Sequence, residues 1–151
     1  MEMKLSRLIQ LAQEFRNAIE GISVEHRPVG MRDFPFGSCG DSSLLLGAYL
    51  SDMDIDGFFY VCGERGSKAD DSWTSHAWLQ RGSCVIDITA DQFQDAPTNI
   101  IVADPSLWHQ QFQTEAPQPA DFRLWTGYGA EILVPMYSSL KRSLGLFPAD
   151  S

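Results

Sequence analysis

Two short alternating segments, residues 75–80 and 83–88, constrain the fold of this chain more than any other feature. In each segment every second residue is small or apolar and suited to a protein core, and only Arg81-Gly82 separates the two segments. This pattern predicts an antiparallel hairpin closed by a two-residue turn. One face of the hairpin would be continuously apolar and would pack on the core: Ala77, Leu79, Cys84, Ile86 and Ile88.

The other face of the predicted hairpin carries two residues with catalytic potential. A turn at Arg81-Gly82 would place His76 directly opposite Asp87. Directly opposed side chains share a face, with Cβ atoms about 4.5–5.5 Å apart. The carboxylate would then hold the imidazole in one orientation and tautomer and would stabilise its protonated form. A slip of one residue in the register would separate the pair.

A third reactive side chain, Cys39, begins a segment that we predict to be helical as far as Leu50. Ser38 and Asp41 have the spacing of a capping box at the start of this helix. In the first turn of a helix, the dipole and free amide groups stabilise a thiolate. The charge of Asp41 would repel that thiolate, so the sequence leaves the sign of the net pKa shift open. Cys39 is the candidate nucleophile, with its own backbone N–H as an oxyanion donor.

The remaining segments predict an α+β fold in one domain, residues 1–151. Apolar residues at helical spacing predict a helix over residues 4–20. Further strands are predicted at residues 58–62, 100–103 and 132–136. Asp104-Pro105 is predicted to begin a short helix that reaches Phe112. We therefore expect N-terminal helices, including the one that carries Cys39, to pack on a mainly antiparallel sheet.

Three short motifs together resemble the transglutaminase-like branch of the papain-like cysteine enzymes. They are Gly37-Ser38-Cys39 at a helix start, His76-Ala77-Trp78 on one strand and Val85-Ile86-Asp87 on the next. The similarity covers roughly residues 34–93. It implies a papain-like core in which the helix bearing the cysteine packs on the sheet bearing the histidine and aspartate.

The resemblance also implies a chemistry: acyl transfer through a thioester, as in peptide or amide hydrolysis, deamidation or cross-linking. Cys39 would be the nucleophile, His76 the general base and acid, and Asp87 the orienting carboxylate. No metal or organic cofactor would be needed. The expected partner is a peptide, a protein or a small amide substrate.

Four further residues are predicted to contact the substrate: Gly37, Ser38, Trp78 and Gln92. Gly37 and Ser38 provide adaptable backbone where a substrate carbonyl would approach. Gln92 is one candidate for a side-chain oxyanion donor, with Arg32 and Asp33 as others. A small, acidic sequence follows the cysteine where family members often carry a bulky residue. An inactive member of the fold that acts as a protein-binding or immunity-type module therefore remains the alternative.

A thiol-based redox or metal-binding protein is the other alternative. Zinc could be held by Cys39, Cys62, His76 and Cys84, but these residues lack the paired spacing of zinc ligands. The predicted hairpin also places Cys84 and His76 on opposite faces. His26 and His109 lie near prolines and are predicted to be surface residues.

The charge of the chain narrows the possible partners and location. A net charge of −9 argues against binding to nucleic acid or to an anionic membrane surface, both of which attract basic patches. No apolar stretch is long enough to span a bilayer, and charges interrupt the N-terminal segment where a secretory signal would be apolar. Three cysteines without a pairing pattern indicate reduced thiols in a cytoplasmic protein. The oligomeric state stays open.

Overall fold

The computed structural model describes residues 4–146. Helices α1 (Leu5–Gly21) and α2 (Cys39–Asp52) precede the sheet, and α3 (Tyr128–Glu131) and α4 (Val134–Ser143) follow it. The strands are β1 (Phe59–Arg65), β2 (Thr74–Arg81), β3 (Cys84–Asp87), β4 (Ile101–Ala103), β5 (Gln113–Thr114) and β6 (Gln118–Pro119). Short 3-10 helices lie between them, including Ala90–Gln92 and His109–Gln111.

The strands form one sheet in the order β4-β3-β2-β1-β5, with β6 also paired to β1. The paired strands are antiparallel throughout. Helices α1, α2 and α4 pack with one face of this sheet around the main apolar core. The sequence prediction of an α+β fold with helices on an antiparallel sheet is confirmed.

The hairpin confirms the predicted faces but corrects the predicted register. Arg81 pairs with Cys84, so the turn is Gly82-Ser83 and not Arg81-Gly82. Gly82 has a φ of +58°, which suits the first turn position of a two-residue hairpin loop and favours glycine. The register is shifted by two residues, which preserves the face of every side chain because the period is two. All five residues predicted for the core face are buried: Ala77, Leu79, Cys84, Ile86 and Ile88.

The start of α2 is as predicted, but the capping box is not formed. Ser38 occupies the N-cap position without bonding to a helix N–H. Its hydroxyl instead lies 3.1 Å from the carbonyl oxygen of Gly30 and 3.2 Å from that of Phe36. The serine therefore ties the preceding turns to the helix start, because its side chain is directed back along the chain.

Two predicted elements are wrong. Residues 132–136 belong to a turn and to the start of α4, and not to a strand. The buried residues Leu133, Met136, Tyr137 and Leu140 have a helical spacing that a five-residue window cannot reveal. The helix predicted from Asp104-Pro105 is limited to the 3-10 turn His109–Gln111.

A buried arginine of α1 fixes the segment that follows β3. The Arg16 guanidinium donates to the carbonyl oxygen of Ile88 at 2.9 Å and to both carboxylate oxygens of Asp91 at 2.7 and 2.8 Å. The side chain of Arg16 is only 7 % exposed. These bonds hold the 3-10 helix Ala90–Gln92 against α1 and so determine where Gln92 lies.

Candidate active site

His76 and Asp87 form a buried pair at the centre of the site. His76 lies on β2 and Asp87 ends β3, and each residue is 1 % exposed. The His76 Nε2 atom lies 2.7 Å from Asp87 Oδ2. Continuing the observed register places Trp78, and not His76, directly opposite Asp87. The pair is therefore diagonal, a geometry that long side chains can still span.

The Cys39 thiol approaches His76 from the first turn of α2. Because Asp87 occupies Nε2, Nδ1 is the ring nitrogen left for the thiol. Nδ1 is buried and has no partner that meets ordinary hydrogen-bond geometry. The thiol contact is therefore looser than a conventional hydrogen bond, yet close enough for the two groups to shift each other's pKa. The structure brings Cys39, His76 and Asp87 together, with His76 in contact with the other two.

The electrostatics of the site favour a thiolate next to an imidazolium. Burial alone would lower the pKa of His76, but its contacts with Asp87 and Cys39 raise that pKa to about 9. Burial alone would raise the pKa of the Cys39 thiol. The interaction with His76, the backbone of Ala77 and the side chain of Gln92 together bring that pKa below its ordinary value. Both shifts favour the proton on His76 over the proton on Cys39.

Asp41 does not prevent this arrangement, although the sequence left its effect open. Burial raises the pKa of the Asp41 carboxyl, and the pKa of the Cys39 thiol is lowered even with Asp41 two residues away. The contacts of Cys39 with His76 determine the direction of the thiol pKa.

Gln92 lies against the nucleophile and the turn before it. Its Oε1 atom accepts the backbone N–H of Gly37 at 3.1 Å, and its Nε2 atom donates to the carbonyl oxygen of Thr89 at 3.2 Å. The amide also interacts with the Cys39 thiol and helps to lower its pKa. Gly37 is exposed at this edge, whereas Ser38 is fully buried.

Trp78 lies under the site rather than in an open cleft. It is 1 % exposed and belongs to a small apolar cluster on the sheet face opposite α1 and α2. Three rings, which we call the aromatic cover, close this face around His76: Phe93, Trp108 and Phe112. The ring of Phe93 meets the His76 ring edge-on at 4.9 Å. The cover keeps bulk water from the His76–Asp87 pair, which strengthens the bond between them.

One residue of the site, His109, was misjudged from the sequence. His109 was predicted to be a surface residue, but it is 4 % exposed and its Nε2 atom lies 2.7 Å from Asp87 Oδ2. Its Nδ1 atom is 2.5 Å from the Ser106 hydroxyl. A Ser-x-x-His spacing was the only sequence signal. The same spacing at Ser23 and His26 gives an exposed pair, so the signal does not discriminate.

His76, Asp87 and His109 also form the only group of three potential metal ligands among residues 4–146. Their ligand atoms lie within 4.8 Å of one another. However, both histidine nitrogens are 2.7 Å from one carboxylate oxygen, which is a hydrogen-bond distance. Tetrahedral ligands of a zinc ion would stand roughly 3.3 Å apart. The distances fit a hydrogen-bonded acid–base cluster.

The other two cysteines differ from Cys39 in their surroundings. Burial and the negative charge of Glu115 raise the pKa of Cys62, and burial also raises the pKa of Cys84. Cys84 lies on the core face of the sheet, opposite the face that carries His76. All three are free thiols. The set of four zinc ligands considered from the sequence is not brought together.

Comparisons with known proteins found no match to any family model, curated protein or solved structure. None of the helices within residues 4–146 is long and apolar enough to cross a membrane. The functional interpretation therefore rests on the geometry and electrostatics of the site.

Proposed function

We propose that this protein is a cysteine-dependent acyl-transfer enzyme that acts through a thioester on Cys39. One observation carries the proposal. A half-buried thiol in the first turn of a helix faces the free nitrogen of a buried histidine whose other nitrogen bonds to a buried carboxylate. Nucleophile, base and orienting group in that order are what covalent catalysis by a thiol requires.

The first half of the reaction is acylation of the thiol. The Cys39 thiolate attacks the carbonyl carbon of an amide or ester, and the carbonyl oxygen becomes an oxyanion. As this intermediate collapses, the bond to the leaving group breaks and His76 Nδ1 donates its proton to the departing amine or alcohol. His76 keeps the proton on Nε2 throughout, because Asp87 accepts it in a hydrogen bond at 2.7 Å.

The second half releases the acyl group and restores the thiolate. His76 Nδ1, now unprotonated, accepts a proton from water or from an amine, which attacks the thioester carbon. The Cys39 thiolate leaves, and the imidazolium remains beside it. The proposed oxyanion donors in both halves are the backbone N–H of Cys39 and the amide of Gln92, which interacts with the Cys39 thiol.

The same arrangement supports membership of the papain-like fold as part of the proposal. The helix with the cysteine packs on an antiparallel sheet with the histidine and aspartate, in the chain order Cys39, His76, Asp87. No organic cofactor enters the steps above. Because a thiolate nucleophile must stay reduced, we propose that the protein works in the cytoplasm, with a peptide, protein or small amide as substrate.

The proposal is tested by trapping the acyl-enzyme. Protein treated with p-nitrophenyl acetate is analysed by intact and peptide mass spectrometry, and release of p-nitrophenol is followed in time. We expect a burst of p-nitrophenol and an acetyl group on Cys39, and neither in Cys39→Ser or His76→Gln. Cys62→Ser is the matched control, since the Cys62 thiol is near enough to Cys39 for their charges to interact but plays no part in the proposed steps, and it should retain the burst. An unmodified Cys39, or acetylation that persists without His76, would favour the binding-module alternative.

A further inference from the structure

Asp87 receives hydrogen bonds from two histidines and not one. His76 Nε2 and His109 Nε2 each lie 2.7 Å from the same oxygen, Oδ2, and the backbone N–H of Thr89 donates to Oδ1 at 3.0 Å. The side chains of His76, Asp87 and His109 and the residue Thr89 are all buried. The ring centroids of His109 and His76 are 6.3 Å apart, and the catalytic steps proposed above do not use His109.

His109 is itself held in one orientation. The Ser106 hydroxyl, also buried, lies 2.5 Å from His109 Nδ1. The ring packs between two indoles, with centroids 4.6 Å from Trp78 and 4.8 Å from Trp108. An ionised carboxylate can only accept, so His109 donates to Asp87 from Nε2 and is left with Nδ1 to accept from the Ser106 hydroxyl. The serine therefore fixes the tautomer that donates to Asp87.

We propose that His109 is a positioning residue of the active site, which holds Asp87 ionised and oriented so that His76 presents Nδ1 to Cys39. The inference rests on the proposed acyl-transfer function, because only that function gives the orientation of His76 a use. The observation behind it is that both histidines bond to the same oxygen of Asp87. His109 transfers no proton in this role. The moving proton passes only between His76 Nδ1 and the leaving group or incoming nucleophile.

The need for a second donor follows from the burial of Asp87. A carboxylate removed from water is stable only where hydrogen bonds or opposite charges replace its hydration. Burial raises the pKa of Asp87, and its bonds to His109 and His76 lower that pKa below its ordinary value. With His76 as its only side-chain partner, the Asp87 carboxylate could rotate, and His76 would no longer be held with Nδ1 toward Cys39. Two donors on Oδ2 and one on Oδ1 prevent this rotation.

The experiment compares three variants by the pH profile of Cys39 alkylation with iodoacetamide, read at each cysteine by mass spectrometry. His109→Leu removes the donor, His109→Gln retains an N–H donor of similar reach, and Ser106→Ala removes only the group that fixes the tautomer. His26→Leu is the matched control, because His26 bonds to Ser23 at the same spacing but is exposed. Circular dichroism and thermal unfolding verify that each variant is folded.

We expect His109→Leu to slow alkylation at pH 7 about ten-fold or more, a loss like that caused by removing the hydrogen-bond partner behind a metal-bound histidine. Its profile should move to higher pH, while His109→Gln recovers most of the rate and His26→Leu matches the wild type. If His109→Leu does not fold, Ser106→Ala should show the same direction with a smaller change. The proposal is overturned if folded His109→Leu has the same pH profile of Cys39 alkylation as the wild type. If His109→Leu does not fold, a wild-type profile in Ser106→Ala overturns it instead. Equal losses in the leucine and glutamine variants would also overturn it.

Proton NMR of the imidazole N–H groups gives a signature that a purely structural role would not move. The wild type should show two low-field Nε2 protons, one from each histidine on Asp87. In His109→Gln the signal of the His109 Nε2 proton is lost, and the signal of the His76 Nε2 proton should shift. A His76 signal that does not shift would contradict an interaction of the two histidines through Asp87. Neither measurement needs an acyl substrate. If Cys39 is alkylated rapidly near neutral pH but is never acetylated, the proposed function is rejected and the role of His109 is not. If the wild type shows the acetylation burst but His109→Leu leaves the alkylation profile unchanged, only the role of His109 is rejected.

Discussion

The position of a single proton determines the reactivity of Cys39. His76 has a pKa of about 9, and the pKa of the Cys39 thiol is lower than usual. Both shifts favour the state in which the imidazole carries the proton and the sulfur is a thiolate. Helix dipole, imidazolium and the amide of Gln92 act in the same direction on this thiolate.

Replacement of Gln92 by leucine tests the amide next to Cys39. The variant removes a group that lowers the thiol pKa and that would stabilise an oxyanion. We expect the alkylation midpoint of Cys39 to move to higher pH, and acetylation by p-nitrophenyl acetate to slow by about 10²-fold. The exposed Gln10→Leu on α1 is the control. An unchanged acetylation rate in Gln92→Leu would remove this residue from the oxyanion site.

Gly47 marks the closest approach between α2 and the chain after β6. A Cβ atom at this position would lie 1.9 Å from the carbonyl oxygen of Ala120, which is backbone and cannot move aside easily. We expect Gly47→Ala to lower the free energy of unfolding by about 3 kcal/mol in urea denaturation. Gly21→Ala, at the end of α1, has nothing within 4 Å and should be neutral or slightly stabilising. Equal midpoints for the two variants would contradict the close packing of α2.

At the scale of elements, the hairpin shows why a partly wrong register can still give the right site. The true register differs from the predicted one by two residues, so His76 and Asp87 remain on one face. The apolar alternation determines this face, because a shift of one residue would expose the core side. The exact partner depends on which two residues form the turn, and the glycine at Gly82 is the better first position.

Arg65, at the end of β1, links the aromatic cover to the sheet. Its guanidinium lies about 5 Å from the rings of Phe93, Trp108 and Phe112 and bonds to both oxygens of Asp95 at 2.7 Å. The Arg65 contact lowers the pKa of Asp95 to about 2. Asp95 in turn accepts from the indole of Trp108 at 3.1 Å. The arginine therefore holds the cover closed over His76.

Arg65→Leu should loosen the aromatic cover without unfolding the protein. We expect a loss of about 1–2 kcal/mol in the free energy of unfolding, from the cation–π contacts and an exposed ion pair. Hydrogen exchange by mass spectrometry should become faster at residues 93–112. Arg123→Leu is the matched control, since Arg123 pairs with Asp52 and Asp121 and lies over Tyr137, away from the cover. Exchange at residues 93–112 that responds equally to both variants would contradict a specific role for Arg65.

At the scale of the whole molecule, the ion pair predicts how stability depends on pH. The raised pKa of His76 adds stability that is complete below about pH 6.5, the unfolded value, and is lost as pH rises through about 9. The lowered pKa of Cys39 adds stability that is present above its unfolded value and is lost as pH falls through its folded pKa. The two contributions change with pH in opposite directions, so the lowered pKa of Cys39 offsets the slope that comes from the raised pKa of His76.

Cys39→Ser should reveal the slope that the pair conceals. His76 keeps Asp87 and so keeps a raised pKa, but no thiol compensates for the bound proton. We expect the stability of this variant, relative to the wild type, to fall as pH rises from 6.5 toward 9 in urea unfolding experiments. Cys62→Ser should run parallel to the wild type. Parallel curves for Cys39→Ser and the wild type would show that no ion pair forms.

The sequence by itself determined the local patterns that position the site. Period-two alternation predicted the face shared by His76 and Asp87. The spacing of Ser38 and Asp41 predicted the helix that begins at Cys39, although the capping box itself is not formed. These features depend on neighbours a few residues away. The turn at Gly82-Ser83 and the helix at 134–143 were misassigned because short windows contain little of either pattern.

Only the tertiary structure decided the position of His109 and the aromatic cover. Residues 93–112 contribute Phe93, Trp108, His109 and Phe112 to the site from a segment with almost no regular secondary structure. Such a segment has no periodicity to interpret, and its path is fixed by distant contacts such as Arg65 with Asp95. The hydrogen-bond donors to a buried carboxylate such as Asp87 come from residues that are far apart in the chain. For that reason the second histidine on Asp87 could be recognised only in the folded protein.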